Sequence, residues 1–249
     1  MKIRLNKNPL KSLYAAYFGL WTLITFIILY PAIYYTLSNP KRYAWGHRVR
    51  RVWGWILLRV CFVRVKQIVE EKLDTTKPYI ITPNHQSYID IITLTVKLNQ
   101  LNFSFMAKAE LAKIPLFGIW FRTVDINVDR KNIRKAAEAY KKATRFFDSG
   151  RSLVIFPEGT IGTHVPKMLK FKDGPFRLAI EKQIDILPVT ILGNHIILAD
   201  QDTLDGRPGT VYQYIHKPIS TKNLTMDDVD ALREKVYHII QNKLTEYGY

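Results

Sequence analysis

Thr82-Pro83-Asn84-His85-Gln86-Ser87-Tyr88-Ile89-Asp90 decides how this chain is read. The apolar run Tyr79-Ile80-Ile81 before it reads as a buried strand, and Ile91-Ile92-Thr93-Leu94-Thr95-Val96 after it continues as a helix. His85 and Asp90 therefore stand at a strand-to-helix junction, where a loop is exposed between rigid flanks. On one regular helix, residues five apart point about 140° away from each other and do not meet. They meet only if the helix begins between them. Ser87 has the chemistry of an N-cap, which places Asp90 at the third helical position, beside the positive end of the helix dipole. Ser87-Tyr88-Ile89-Asp90 also resembles a capping box with Asp in place of Glu or Gln, a purely structural use of the same residues.

Working outward, the 249 residues suffice for one large α/β domain with an appendage. Apolar residues are 47% and charged residues 23%, which excludes a disordered chain. The net charge of +16 is unevenly spread: residues 1–66 hold 12 Lys or Arg and no acid, while the remainder holds 25 basic and 21 acidic residues. The basic quarter is also the most apolar, which points to an anionic membrane surface. Nucleic-acid binding is the other use of such charge, but no helix-turn-helix, zinc-finger or RNA-binding signature accompanies it, and no nucleic-acid partner is expected. The single cysteine, Cys61, excludes an intramolecular disulfide, and no Cys/His metal pattern is present.

The N-terminal quarter divides in two. Leu13 to Leu37 is an uncharged run of about 25 residues, long enough as a helix to cross a bilayer core, with Pro31 expected to kink it. It is long for a signal-peptide core, and Thr36-Leu37-Ser38 is a poor cleavage site. Trp45 to Val63 is amphipathic: Trp45, Val49, Trp53, Ile56, Leu57 and Val60 share one arc, Arg48, Arg51 and Arg59 another, and Arg50 lies apart. Trp and Arg on one helix suit the headgroup layer. Basic flanks on both sides of the first run favour two helices dipping into one leaflet over a single span.

From about residue 63 the texture becomes that of a soluble α/β protein. Strands are expected at 62–68, 78–82, 102–107, 124–128, 152–156, 186–192 and 210–216. Helices are expected at 88–98, 110–114 with 116–121, 133–149, 176–182 and 226–247, the last opened by the capping-box pattern Thr225-Met226-Asp227-Asp228. The alternation predicts an α/β fold: a mixed, mostly parallel sheet flanked by helices, at 66–249, preceded by an apolar and amphipathic two-helix membrane element at 1–65.

Further groups with chemistry stand at predicted strand ends. Acyl transfer to an alcohol needs a base for the hydroxyl proton, and histidine oriented by a carboxylate suits it. Phe156-Pro157-Glu158-Gly159-Thr160 follows a strand; Gly159 permits close backbone approach and Thr160 offers a hydroxyl to a phosphate, or the five residues form an ordinary surface turn. Lys108, Arg130, Lys131, Lys167, Lys170 and Lys172 supply cations near such ends. His164, close to the Glu-Gly-Thr turn, is a weaker alternative base. Absent are the GxSxG elbow, the GxxxxGK[ST] loop, HExxH and GxGxxG.

Taken in order, these residues resemble the glycerolipid acyltransferases, the bacterial 1-acyl-sn-glycerol-3-phosphate acyltransferases above all. Asn84-His85-Gln86-Ser87-Tyr88-Ile89-Asp90 matches the NHxSxxD motif in full. Met106 to Leu111, Gly118 to Arg130, Phe156 to Thr160, Phe171 to Phe176 and Leu187 to Thr190 resemble the later motifs. The resemblance implies His85 as general base with Asp90 as its orienting partner. It implies that Arg130, Glu158, Gly159 and Thr160 help bind the glycerol phosphate of lysophosphatidic acid, with Lys108, Lys172 or Lys167 as further cations for the phosphate. The donor would be acyl-CoA or acyl carrier protein, with no metal or bound cofactor, and the enzyme would sit on the cytoplasmic side of the inner membrane through its N-terminal helices. One position departs: the family's third motif continues with Arg after the Thr, and Ile161 stands here. That leaves open another lyso-lipid or polar acceptor. A non-catalytic lipid-binding protein of the membrane surface is the alternative from a different class, but a binder has no use for an intact base.

Overall fold

The computed structural model describes residues 4–5, 8–129, 132–199 and 203–249. The chain begins with β1 (Arg4–Leu5), the long helix α1 (Pro9–Leu37), a 3-10 turn (Pro40–Arg42) and α2 (Tyr43–Val60). It continues through β2 (Val63–Val69), β3 (Ile80–Pro83), α3 (Ile89–Lys97), β4 (Phe103–Lys108), α4 (Gly118–Thr123), β5 (Ile126–Val128), α5 (Ile133–Asp148) and β6 (Ser152–Val154). The last part is α6 (Gly174–Lys182), β7 (Ile186–Leu192), α7 (Asn194–Ile197), β8 (Thr203–Leu204), β9 (Gly209–Ile215) and α8 (Val229–Glu246).

Seven strands form one sheet in the order β2-β9-β7-β3-β6-β4-β5. Only β7 and β9 pair antiparallel, with Val189 opposite Ile215. The five strands from β7 to β5 run parallel, so their carboxyl ends share one edge. This is the mixed, mostly parallel sheet expected from the alternation of elements. The central strands β3, β6 and β7 are buried on both faces, as parallel strands are, while β2 and β9 leave alternate residues outward. Ile80, Leu153 and Ile186 face one core with α5, α6 and α8; Ile81, Val154 and Leu187 face the other with α3. Local signals stop and start the helices as anticipated: Gly150, at φ 72°, ends α5, and the Thr225–Asp228 capping box leads into α8. Too short to read in sequence were α7 and the β1–β8 pair.

The N-terminal helices form an antiparallel hairpin. Tyr14 and Tyr17 donate their hydroxyls to the carbonyls of Cys61 and Val60 at 2.8 and 3.0 Å, and Trp53 Nε1 donates to Thr25 Oγ1 at 3.0 Å. Near the tip the helices touch closely: a Cβ on Gly46 would stand 2.5 Å from Leu37 Cδ2. α1 continues through Pro31 to Leu37, so the proline expected to kink the helix does not end it. The hairpin shares its core with the sheet: Phe18, Phe26, Leu57, Ile89, Trp120 and Val211 belong to one cluster. Leu23, Ile27, Ile28, Tyr34, Tyr35, Trp45 and Trp55 remain exposed.

Arg50 explains why it stands apart on the helical wheel. It is 4% exposed and points inward, between the rings of Phe105 and Trp120. Its Nη1 donates to both oxygens of Asp125, at 3.0 and 2.8 Å, and Asp125 also accepts the Phe105 N–H at 2.9 Å. This buried pair fastens α2 to the sheet beside β4 and β5. Trp45, placed on the apolar arc by sequence, faces outward, with the Arg48 guanidinium 4.7 Å from its ring centre. Breaking a buried pair leaves a charge without compensation. Asp125→Ala is expected to cost about 3–5 kcal/mol of unfolding free energy, measured by denaturant titration in detergent; a loss within experimental scatter would remove the pair's fastening role.

Candidate active site

The loop after β3 carries His85, and its conformation is held from several directions. Asn84 clamps it to β7, donating to the Ile191 carbonyl at 3.0 Å and accepting the Ile191 N–H at 2.7 Å. α3 begins at Ile89, so the chain does change direction between His85 and Asp90. His85 Nδ1 lies 2.8 Å from Asp90 Oδ2. The same oxygen accepts the backbone N–H groups of Gln86 and Ser87, at 2.7 and 3.0 Å. Tyr88 is the residue flanking α3, and Ser87 caps it only weakly, its Oγ accepting the Ile89 N–H at 3.4 Å. The Ser87 hydroxyl donates to the Leu198 carbonyl at 2.6 Å, and of the capping box proper only the carboxylate half forms.

Asp90 is fully buried. Its Oδ1 accepts from Asn194 Nδ2 at 2.6 Å, and Asn194 also donates to Thr93 Oγ1 at 3.0 Å. Asn194 was not singled out in the sequence. It opens α7 just after Gly193 at the carboxyl end of β7, so the rule that strand ends carry chemistry would have pointed to it. A carboxylate with four hydrogen-bond donors around it in a dry setting has little freedom to rotate, and it holds the imidazole in one orientation.

Phe156 stacks on the His85 ring, with centroids 3.9 Å apart and planes 19° from parallel. Beneath it, Glu158 is 3% exposed. From sequence Glu158 belongs at the substrate; in the structure its Oε1 accepts the His85 N–H and its Oε2 the Leu169 N–H, both at 2.7 Å. Burial pushes this carboxyl up to about 7, against the pull of those two N–H groups. Gly159 sits at φ 76°, a conformation that suits glycine and brings the chain back beside Phe156.

His85 lines a cavity of about 180 Å³ together with Tyr88, Lys108, Phe156, Gly159, Thr160 and Ile161. Lys172 lines an adjoining cavity that shares Met106 and Phe156 with the first. Arg130 lies outside the described residues. On the other side, Tyr88, Ile91 and Leu111 also line a third, almost wholly apolar cavity of about 360 Å³, walled by Trp53, Gly54, Ile92, Phe117, Trp120 and Phe121. It runs among α1 to α4 and ends at Arg50 and Asp125. His164 stands apart from this group, its Nδ1 2.9 Å from Thr163 Oγ1. Among the described residues, no group of three or more His, Cys, Asp or Glu is arranged to hold a metal ion.

The arrangement has the parts of a general base beside a polar pocket and an apolar groove. The Acyltransferase family model matches residues 64–192. The 1-acyl-sn-glycerol-3-phosphate acyltransferase of Saccharomyces cerevisiae is 34% identical over 208 residues, covering 78% of this chain and 67% of the yeast protein. The 1-acyl-sn-glycerol-3-phosphate acyltransferase alpha of Mus musculus is 29% identical over 202 residues, 77% of this chain and 70% of the mouse protein. The crystal structure of a 1-acyl-sn-glycerophosphate acyltransferase from Thermotoga maritima superposes with a TM-score of 0.73, covering 94% of this chain and 98% of that one, at 23% identity, a likeness of fold. The residues matched by the model include the His85 loop, the Lys108 strand end and the Glu158 turn, and by this match and the yeast relative the chain belongs to the acyltransferase family.

Proposed function

We propose that the chain moves a fatty acyl group onto the sn-2 hydroxyl of 1-acylglycerol 3-phosphate, giving phosphatidic acid. The observation that carries this is the His85–Asp90 bond beside a cavity lined by Lys108, Gly159 and Thr160. With Nδ1 engaged by Asp90, Nε2 is the ring nitrogen left for substrate. As the acceptor oxygen bonds to the thioester carbonyl carbon, its proton passes to Nε2. When the tetrahedral intermediate collapses, the carbon–sulfur bond breaks and Nε2 returns the proton to the departing thiolate. The donor is acyl-CoA or acyl carrier protein, which carry the same thioester chemistry.

Lys108, Lys172 and the Thr160 hydroxyl are the groups for the acceptor's phosphate, with Arg130, the last residue of the 118–130 motif, as a further cation that the resemblance implies. With Ile161 on the cavity wall, these cations carry the role that an Arg after Thr160 would share. The apolar groove beyond Tyr88 suits an acyl chain. Glu158 acts as a positioning residue, holding the His85 backbone rather than touching substrate.

The hairpin brings this site to membrane-borne substrates. Lys11 is 3.3 Å from Asp205, and Tyr14 is bonded near the end of α2, so the first turns of α1 lie against the sheet domain. We read the hairpin as dipping its exposed apolar face into one anionic leaflet, on the cytoplasmic side of the inner membrane, with residues 1–65 as the membrane element and 66–249 as the catalytic domain.

Purified protein given lysophosphatidic acid and labelled acyl donor is expected to form phosphatidic acid, and His85→Ala to lower turnover by about 10²–10⁴-fold or more with the fold intact. Product formation unchanged in that variant would exclude His85 as the base, and no transfer by folded wild type with either donor would reject the activity. Because the folded chain keeps Glu158 protonated up to about 7 against an ordinary 4.5, its contribution to stability is full at low pH and is lost as pH rises through 7. The unfolding free energy of wild type minus that of Glu158→Gln should fall by about 2–3 kcal/mol between roughly pH 5 and 8; a flat difference would contradict this. Ile28→Asp with Trp45→Asp should release the protein from anionic vesicles in a flotation assay, whereas undiminished flotation would move the membrane contact elsewhere.

A further inference from the structure

A further cavity, of about 330 Å³, opens at the other edge of the sheet. Its walls include His47, Arg48, Arg50 and Arg51 of α2, Asn99 and Asn102 before β4, Phe103 at the start of β4, and Arg151 before β6. Phe103 and Lys108 stand at opposite ends of β4, roughly 16 Å apart at the rise of a strand. This cavity is therefore separate from the one that His85 lines.

Four guanidiniums and an imidazole converge here, and among the described residues the carboxylate they meet is that of Asp125, both of whose oxygens accept from Arg50 Nη1, while Arg50 Nη2 lies 3.3 Å from His47 Nδ1. Four other polar atoms of the group are left without an acceptor. His47 Nε2 and the Nε atoms of Arg50, Arg51 and Arg151 are buried, with no hydrogen-bond partner among the described residues. A buried donor without an acceptor is costly, so a ligand that accepts these bonds is favoured here. Burial, then the guanidiniums of Arg50, Arg151 and Arg51, push the His47 imidazole down to about 2. Burial and Arg50 likewise lower Arg51 and Arg151, although Asp125 pulls the latter back up. The cavity is thus a preformed excess of positive charge in a part-dry setting, suited to a tetrahedral oxyanion.

Its surroundings say where that oxyanion comes from. Arg48, on the cavity wall, stacks on the exposed Trp45, and Arg42 stacks on the exposed Tyr35, 4.0 Å from its ring centre. Aromatic rings paired with arginines form a belt of the kind that sits at headgroup depth. We propose that the pocket of His47, Arg51 and Arg151 binds the phosphate of a membrane phospholipid headgroup, at a site apart from the reaction centre. Arg50 and Thr95 line both this pocket and the apolar groove, so an occupied pocket steadies the wall of that groove as well as the docked hairpin.

The test uses the full chain in neutral detergent, titrated with dioctanoylphosphatidylglycerol and, separately, with inorganic phosphate. Wild type is expected to bind one phosphatidylglycerol per chain saturably. Arg51→Gln with Arg151→Gln should weaken binding at least about tenfold, the loss of one or more charge-assisted bonds. Lys217→Gln with Lys222→Gln, which removes the same charge elsewhere, should leave it unchanged. Equal weakening in both double variants would mean diffuse attraction and overturn the proposal. Tight binding of inorganic phosphate without binding of the lipid would assign the site to free phosphate and overturn the lipid assignment. A readout on wild type alone guards against misfolded variants: the His47 ring resonances should shift to saturation with the same midpoint as lipid binding. Resonances that stay fixed while lipid binds would equally overturn it.

Discussion

Asp90 is the group on which the rest of the site depends. One buried carboxylate meets the imidazole of His85, the N–H groups of Gln86 and Ser87 and the amide of Asn194. Each donor belongs to a different constraint: the histidine to the chemistry, the two N–H groups to the turn that separates strand from helix, the amide to α7, which follows the neighbouring strand β7. A carboxylate on α3 reaches a histidine outside that helix only because the turn folds back on it, and the turn folds back because the carboxylate accepts its N–H groups. The structural and catalytic uses of these residues are one arrangement. Beneath it Glu158 repeats the device, tying the His85 backbone to the segment after the third motif through Leu169.

The hairpin and the sheet are joined in a similar way, by one ion pair inside an apolar contact. Arg50 and Asp125 hold α2 against the β4–β5 end of the sheet, and the same pair closes the apolar groove that begins beside Tyr88. A groove bounded by Trp53, Phe117 and Trp120 and by Ile91 and Ile92 exists only while the hairpin is docked. Hairpin and groove are therefore not separable parts: the element proposed to meet the lipid surface is also a wall of the cavity proposed to hold the acyl chain.

The seven main strands were legible because each is a short apolar run between turn residues, and their parallel arrangement followed from the helices between them. The loop geometry at residues 84–90 was legible too, since a histidine and an aspartate five apart can meet only across a helix start. Other features were not. Pairings such as Arg50 with Asp125 and Asp90 with Asn194 join residues 75 and 104 positions apart, and no local pattern records them. The inward turn of Arg50 left a trace, its odd place on the helical wheel, but nothing to say what it met. The turn of Glu158 under the histidine was hidden by its position in a recognisable motif, which drew attention to substrate rather than to backbone. α7, one turn long, carries Asn194 and lacks the length for any periodicity to show.

The most direct test of this account is the protonation pattern of the His85 ring. Nitrogen chemical shifts of labelled protein at neutral pH distinguish the two imidazole tautomers. The account requires the proton on Nδ1, donated to Asp90, with Nε2 bare and ready to accept from a hydroxyl. A ring protonated on Nε2 with Nδ1 bare would contradict it, because the nitrogen facing the substrate would then have no lone pair free to accept the hydroxyl proton.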